Sequence, residues 1–139
     1  DYYFMNNKSW RFDALGAFIL TPTVRLRFGA GIGREDAKFD EYSNRQYRVL
    51  SAILADLPMR FGVSLSHEIA WREFDRPNFF ESQARSDTRH TSRLELSNRR
   101  FAYAGFRPAL AIINEQQRSS SVLFEYERIR VEIGFTRDF

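Results

Sequence analysis

Apolar and polar residues alternate with a period of two in seven runs along the chain. A strand whose two faces meet different surroundings produces this pattern. No run shows a helical period over three turns, so the sequence predicts an all-β fold. The apolar positions of the runs are Trp10, Phe12, Ala14, Phe18 and Leu20; Val24, Leu26, Phe28, Ala30 and Ile32; Tyr47, Val49, Ile53, Ala55 and Leu57; Phe61, Val63, Leu65, Ile69 and Trp71; Leu94 and Leu96; Phe106, Leu110 and Ile112; and Ile129, Val131, Ile133 and Phe135.

Short and long connections alternate between the runs. The short ones are residues 21–23, the region around Pro58 and residues 101–105; the long polar ones are residues 34–43, 74–88 and 116–124. Short turns at one end and long loops at the other are typical of outer-membrane barrels. Most runs have about 10–14 residues, enough for a tilted strand to cross a bilayer. We therefore predict an antiparallel transmembrane β-barrel, with a soluble β-domain as the rival.

The number of strands bears on how the barrel closes. About seven strands form one domain over residues 1–139. Single-chain bacterial barrels have an even strand number and both ends in the periplasm. Seven crossings from a periplasmic C-terminus would place residues 1–7 on the extracellular side. We therefore expect the C-terminal half of a larger barrel, completed by a missing N-terminal segment or by another polypeptide.

The amino-acid composition is consistent with a β-sheet that has one apolar face and one charged face. Aromatic residues make up 16% of the chain, and Trp10, Tyr47 and Trp71 lie near the extracellular ends of their runs. Amphipathic aromatics anchor at membrane interfaces, so outer-membrane lipids are the expected surroundings. Cysteine is absent, which excludes a disulfide frame, a thiolate metal site and a thiol nucleophile.

The charged residues alternate rather than cluster. Twenty-one basic residues, nearly all arginine, face 18 carboxylates, and the two signs are interspersed along strand-like runs. A nucleic-acid surface gathers its cations into a patch, so we expect an internal lattice of ion pairs and no nucleic-acid partner. The candidates for a water-filled lumen are Arg25, Arg27, Arg48, Arg60, Arg72, Arg93, Arg130, Glu68, Glu95 and Glu132. They would pair across strands, set the field of a pore, or bind a client segment.

Glycines alternate along the second run. Gly29, Gly31 and Gly33 share the presumed lumen face. A row without side chains makes room, either for a folded-in loop, plug or passing chain, or simply for curvature of the wall. A Gly-x-Gly in mid-strand opens no helix, so it is no phosphate-binding loop.

The sequence offers little for enzyme chemistry. His67 and His90 lack the spacing of a metal pair, and no cofactor is expected. His67 falls on the apolar side of its run, between Leu65 and Ile69, where a shielded histidine or a local bulge is the simpler interpretation. A Ser–His–acid group at a barrel rim, built from either histidine and a nearby serine, stays open as an alternative.

The C-terminal run resembles the C-terminal signal of outer-membrane barrels. Val131, Ile133 and Phe135 alternate and a final aromatic, Phe139, follows; Arg137 stands where an apolar residue is commoner. In the proteins that carry this signal, the barrel assembly machinery reads it. The resemblance implies that this chain is a partner of that machinery in the bacterial outer membrane.

From about Arg85 onward the chain also resembles the surface lipoprotein assembly modifier (Slam) family. The similarity lies in RSDTRHTSRLELSNRRFAYAGFRPALAI, with its Gly-Phe-Arg-Pro turn, and in QQRSSSVLFEYERIRVEIGFTRDF. The resemblance implies a barrel of about fourteen strands, preceded by helical repeats, that moves lipoproteins to the cell surface. Residues 1–139 contain no such repeats, and they read Ser119-Ser120-Ser121 where the resemblance implies Ser-Asn.

These observations lead to one functional expectation and one main alternative. The chain is expected to assist translocation or display of surface lipoproteins across the outer membrane, without making or breaking bonds. The alternative is a porin-like or substrate-selective diffusion channel.

Overall fold

Seven long strands form a single antiparallel sheet in the order of the sequence. The structure, a computed structural model, describes residues 8–77, 82–103 and 106–137. The strands are β1 (Lys8–Thr21), β2 (Val24–Asp36), β3 (Asn44–Leu57), β4 (Phe61–Phe74), β5 (Ser86–Asn98), β6 (Phe106–Ser119) and β7 (Tyr126–Arg137). The prediction of an all-β antiparallel fold with seven strands is confirmed. Among the described strands the sheet is open, because β1 pairs only with β2 and β7 only with β6.

The strands extend further than their apolar stretches. Arg34 to Asp36 continue β2, residues 86–88 begin β5, and residues 116–119 end β6. The sequence had placed these residues in loops because they are polar. That prediction was wrong at the boundaries, since a β-ladder is held by backbone hydrogen bonds that polar residues make equally well.

Within the described parts of the connections lie four short 3₁₀ turns, at Asp40–Tyr42, Pro58–Arg60, Arg99–Phe101 and Val122–Phe124. Among the described residues, the helical segments are all too short to cross a membrane. The Pro58–Arg60 turn forms the reversal between β3 and β4. It places Met59 at φ 61° and Arg60 at φ 64°, in the left-handed region that side chains other than glycine rarely adopt.

The sheet is one layer thick. Tertiary contacts run between neighbouring strands and their connecting turns, and no described element packs over either face. Among the described residues, Ala111 and Ile113 are the only buried apolar side chains. Large apolar side chains are exposed instead, such as Phe12 at 69% and Ile133 at 85% exposure. A soluble sheet buries such a face against a second layer, and in the described structure no such layer is present.

Candidate functional site

The register of the ladder assigns each side chain to one of two faces. We call the face that carries Phe12, Val49 and Leu94 the apolar face, and the opposite one the polar face. Nine of the ten predicted lumen residues share the polar face. Arg27, Arg93 and Arg130, for example, occupy one register row that crosses from β2 to β7 through Ala52, Ser66 and Ile113.

Arg60 is the exception among the lumen candidates. It lies in the Pro58–Arg60 turn rather than on a strand. The sequence placed it on a strand because it precedes the apolar run of β4. For the other nine residues the shared face is shown, and their exposure to a lumen stays a prediction.

Arg93 is the centre of an ion-pair cluster on the polar face. Its guanidinium donates to Glu95 on the same strand and to Glu132 on β7, both at 2.9 Å. Arg130 completes the cluster at 4.0 Å from Glu132. The Arg93–Glu132 pair passes over β6, where Ala111 is register partner of both Glu95 and Glu132. A small residue on the middle strand thus lets charges two strands apart meet.

The same arrangement occurs at the other end of the sheet. Arg48 on β3 binds Asp13 on β1, with Nη2 2.7 Å from Oδ2 and Nε 2.9 Å from Oδ1. Gly31 of β2 lies between them in the register, and Leu15 similarly extends over Gly29. In this structure the room made by the glycine row is therefore occupied by side chains from β1 and β3.

Glu115 is a buried carboxylate of the ion-pair lattice, at 5% exposure, as is Asp87. Both of its oxygens accept from Arg128 Nη2 at 3.0 Å, and Oε1 also accepts from the hydroxyl of Tyr126. Arg128 and Tyr126 lie on β7, so this cluster fastens the last strand to β6. Burying a carboxylate is costly unless it is paired and hydrogen-bonded, and here it is both.

The ends of the sheet are also tied by charged residues. At the end with the long connections, Arg85 lies between the rings of Phe74 and Phe124, with its guanidinium carbon 3.9 and 3.8 Å from the ring centroids. At the end with the short turns, Asp56 lies 3.5 Å from Arg25 and 3.0 Å from Arg99. These contacts join connections that are distant in sequence.

The polar face is concave toward the end with the long connections. Residues from β1 to β6 line a common pocket there, including Arg11, Arg48, Arg72 and Arg89 together with Glu68 and Asp87. Side chains from six strands of one layer can line a single pocket only if the sheet curves around them. The curvature turns the polar face inward and the apolar face outward.

The apolar face carries the residues predicted to form the C-terminal signal. Val131, Ile133 and Phe135 are 63%, 85% and 78% exposed. Phe139 lies outside the described residues. Recognition of these residues by the assembly machinery stays a prediction.

The two histidines meet on the apolar face. His67 Nδ1 lies 2.9 Å from Ser92 Oγ, and the His67 and His90 ring centroids are 5.7 Å apart. The ladder is regular around His67, so a bulge does not explain its position. In the part of the chain that the structure describes, no group of three or more histidines and carboxylates could hold a metal ion.

Several residues of the ion-pair lattice were not predicted from the sequence. Asp13, Asp56, Glu115, Tyr126 and Arg128 all bind predicted residues or each other. The side of the strand on which Asp13 and Glu115 lie was readable from the alternation. Their partners were not, because the pairing depends on the register and on small residues on the strand between.

Comparison with known proteins gives the family. The profile of surface lipoprotein assembly modifiers matches residues 5–139, which confirms the resemblance and extends it over most of the chain. Comparisons with curated proteins and with solved structures found no match. Members of the family are outer-membrane assembly and transport factors rather than enzymes, and membership implies a role in surface lipoprotein assembly or display. The chain therefore belongs to the surface lipoprotein assembly modifier family.

Proposed function

We propose that the chain forms part of the wall of an outer-membrane β-barrel that helps surface lipoproteins to cross the membrane. The observation that carries this proposal is the oblique course of the apolar band across the sheet. In a transmembrane barrel the strands tilt by about 35–45°, so a horizontal lipid layer meets successive strands at shifted register positions. A soluble single sheet has no reason to show such a shift.

The boundary of the band toward the long connections shows the shift. On β1 the apolar stretch begins at Trp10, and on β2 it begins at Ile32, the register partner of Phe12. That row continues through Tyr47 and Trp71 to Thr88 on β5. On β5, however, the apolar stretch begins only at Leu94, six residues further along the strand than Thr88.

The boundary toward the short turns moves in the same direction. The row of Val24 on β2 runs through Ala55, Val63 and Leu96 to Leu110 on β6. On β6 the apolar face continues past Leu110 to Phe106, four residues beyond it.

From β2 to β6 the net shift is four to six residues over four strand spacings, which corresponds to a tilt of roughly 35–45°. At the boundary toward the long connections the shift falls between β4 and β5, because Ile32, Tyr47 and Trp71 lie in one register row. This agreement supports the barrel and explains why His90 and Ser92 interrupt the apolar face of β5, since they precede Leu94 and lie beyond the lipid boundary. His67 lies within the apolar stretch of β4, where Ser92 Oγ lies 2.9 Å from its Nδ1.

The unpaired edges of β1 and β7 support a larger assembly. In hydrocarbon each unsatisfied backbone group costs several kcal/mol. Strands beyond the seven described here would pair with these edges, from elsewhere in the protein or from another polypeptide. Recognition of Val131, Ile133 and Phe135 by the barrel assembly machinery would precede that closure.

The proposed action is mechanical. A polar, curved inner face offers a route past lipid for a polypeptide, and its ion pairs keep that face hydrated and rigid. Passage requires no bond to form or break. The alternative, a diffusion channel for small solutes, would use the same barrel wall. An experiment distinguishes this alternative from lipoprotein passage.

The test is deletion of the gene in its host, with complementation by the full-length protein. We expect surface exposure of lipoproteins, measured by antibody labelling of intact cells, to fall on deletion and to return on complementation. Proteoliposomes should show little swelling in small solutes. Normal lipoprotein display in the deletion strain together with rapid solute flux would contradict the proposal and favour the channel.

A further inference from the structure

The pocket on the concave polar face contains more positive than negative charge. Two of its charged residues are already neutralised. Arg48 is held by Asp13 at 2.7 Å. Asp87 lies 3.2 Å from Arg85 and accepts a hydrogen bond from Ser119 Oγ at 2.6 Å. These pairs contribute no net charge to the pocket.

The other charged groups of the pocket are not balanced. Arg11, Arg72 and Arg89 line it and form no ion pair with a described residue, and Glu68 is the one remaining carboxylate. Glu115, which attracts Arg89 electrostatically, is already bound by Arg128. A surplus of positive charge therefore stays in a curved part of the wall. Concave surfaces lined by one sign of charge focus the field on a ligand of opposite sign.

We propose that this pocket binds carboxylate groups of an acidic peptide segment. Guanidinium groups bind carboxylates in a planar, bidentate manner, and on this face Arg48 and Arg93 already bind Asp13 and Glu132. In the proposed barrel membrane lipids surround the opposite, apolar face, so a peptide in the lumen is the fitting source of the anion. The inference rests on the proposed function, in which the peptide belongs to a lipoprotein in transit.

The experiment uses the full-length protein in detergent and measures fluorescence anisotropy of a labelled peptide. The probe is a twelve-residue peptide of Asp, Glu, Gly and Ser; its counterpart carries Asn and Gln in place of the acids. We expect saturable binding of the acidic peptide only, and loss of binding at high salt because the charges are partly exposed. Inorganic phosphate and vesicles of phosphatidylglycerol are the competing anions, and neither should displace the peptide efficiently.

Two double variants locate the site. Arg72→Gln with Arg89→Gln should weaken peptide binding at least about tenfold, since two charge-assisted contacts are lost. Arg45→Gln with Arg118→Gln removes the same charge from the opposite face of the sheet, outside the pocket, and should leave binding unchanged. Folding of each variant is checked by heat-dependent migration on gels. Arg72→Glu with Arg89→Glu should bind a lysine-rich peptide instead, a gain that misfolding does not produce.

The outcomes separate this inference from the function on which it rests. No saturable binding by the wild type, equal binding by the two glutamine variants, or efficient displacement by phosphate or lipid would overturn the acidic-peptide site. If the wild type restores lipoprotein display but fails to bind the peptide, the site is refuted and the function is not. Peptide binding that depends on Arg72 and Arg89, with display unaffected by gene deletion, would support the site and contradict the function.

Discussion

Arg48 and Asp13 form a bidentate ion pair although their strands are not neighbours. The guanidinium of Arg48 reaches from β3 to β1, with contacts of 2.7 and 2.9 Å. It passes over Gly31 of β2, where an added Cβ would overlap Asp13 Oδ1 and lie 3.0 Å from Arg48 Nε. The absence of a side chain at position 31 is therefore a condition for the pair.

This relationship predicts that Gly31→Ala destabilises the sheet. We expect a loss of about 1 kcal/mol, because the methyl group displaces a partly exposed ion pair rather than backbone. The measurement is urea unfolding of the full-length protein in lipid vesicles. Gly16→Ala is the matched control, since a Cβ there meets nothing within 4 Å. In an Asp13→Ala background, Gly31→Ala should reduce the free energy of unfolding by less. An unchanged reduction would show that Gly31 is not needed to make room for the Arg48–Asp13 pair.

The Glu115 cluster predicts how the last strand is held. Glu115→Gln removes the charge that binds Arg128 and Tyr126, and we expect β7 to open more easily by about 1–2 kcal/mol. Hydrogen exchange of the β7 amides measures this opening. Glu127→Gln, on the apolar face of the same strand, is the control and should have little effect. Equal amide exchange rates in the two variants would show that Glu115 does not hold β7 against β6.

The stacked Arg85 predicts a local effect on the connections. Its contacts with Phe74 and Phe124 contribute about 0.5–2 kcal/mol each, so Arg85→Ala should loosen the β4–β5 and β6–β7 connections without unfolding the sheet. Limited proteolysis of proteoliposomes should then cut these connections several-fold faster. Arg85→Lys keeps the charge but not the planar stack, and it should behave closer to alanine. If lysine fully restores protection, charge rather than stacking holds the connections.

The oblique apolar band predicts different surroundings for residues of one register row. Phe28 and Ser92 lie in the same row, through Ser51 and His67. Because the chain contains no cysteine, single cysteines at these positions can be labelled cleanly. In vesicles, a membrane-impermeant maleimide should label Ser92→Cys and leave Phe28→Cys unlabelled. Equal labelling at the two positions would contradict the tilt, and labelling of both in detergent controls for reactivity.

The sequence alone determined the number of strands, their antiparallel sheet and the division of residues between two faces. A strand turns successive side chains to opposite sides, so the alternation that places Arg93 opposite to Leu94 is fully local information. The strand boundaries were less accurate, because polar residues such as Arg34 and Gln116 continue the ladder through their backbones. The C-terminal resemblance likewise pointed to the family.

Which charges meet depends on the assembled sheet. Arg48 finds Asp13 and Arg93 finds Glu132 across an intervening strand, and both contacts depend on register and on a small residue between them. The turn that removes Arg60 from the wall and the curvature that gathers Arg72 and Arg89 are also properties of the assembled sheet. Alternation specifies the face of a residue, but the partner on that face is set by several strands at once. The charged residues of the lattice and the face on which they lie could therefore be predicted from the sequence, whereas their ion-pair partners could not.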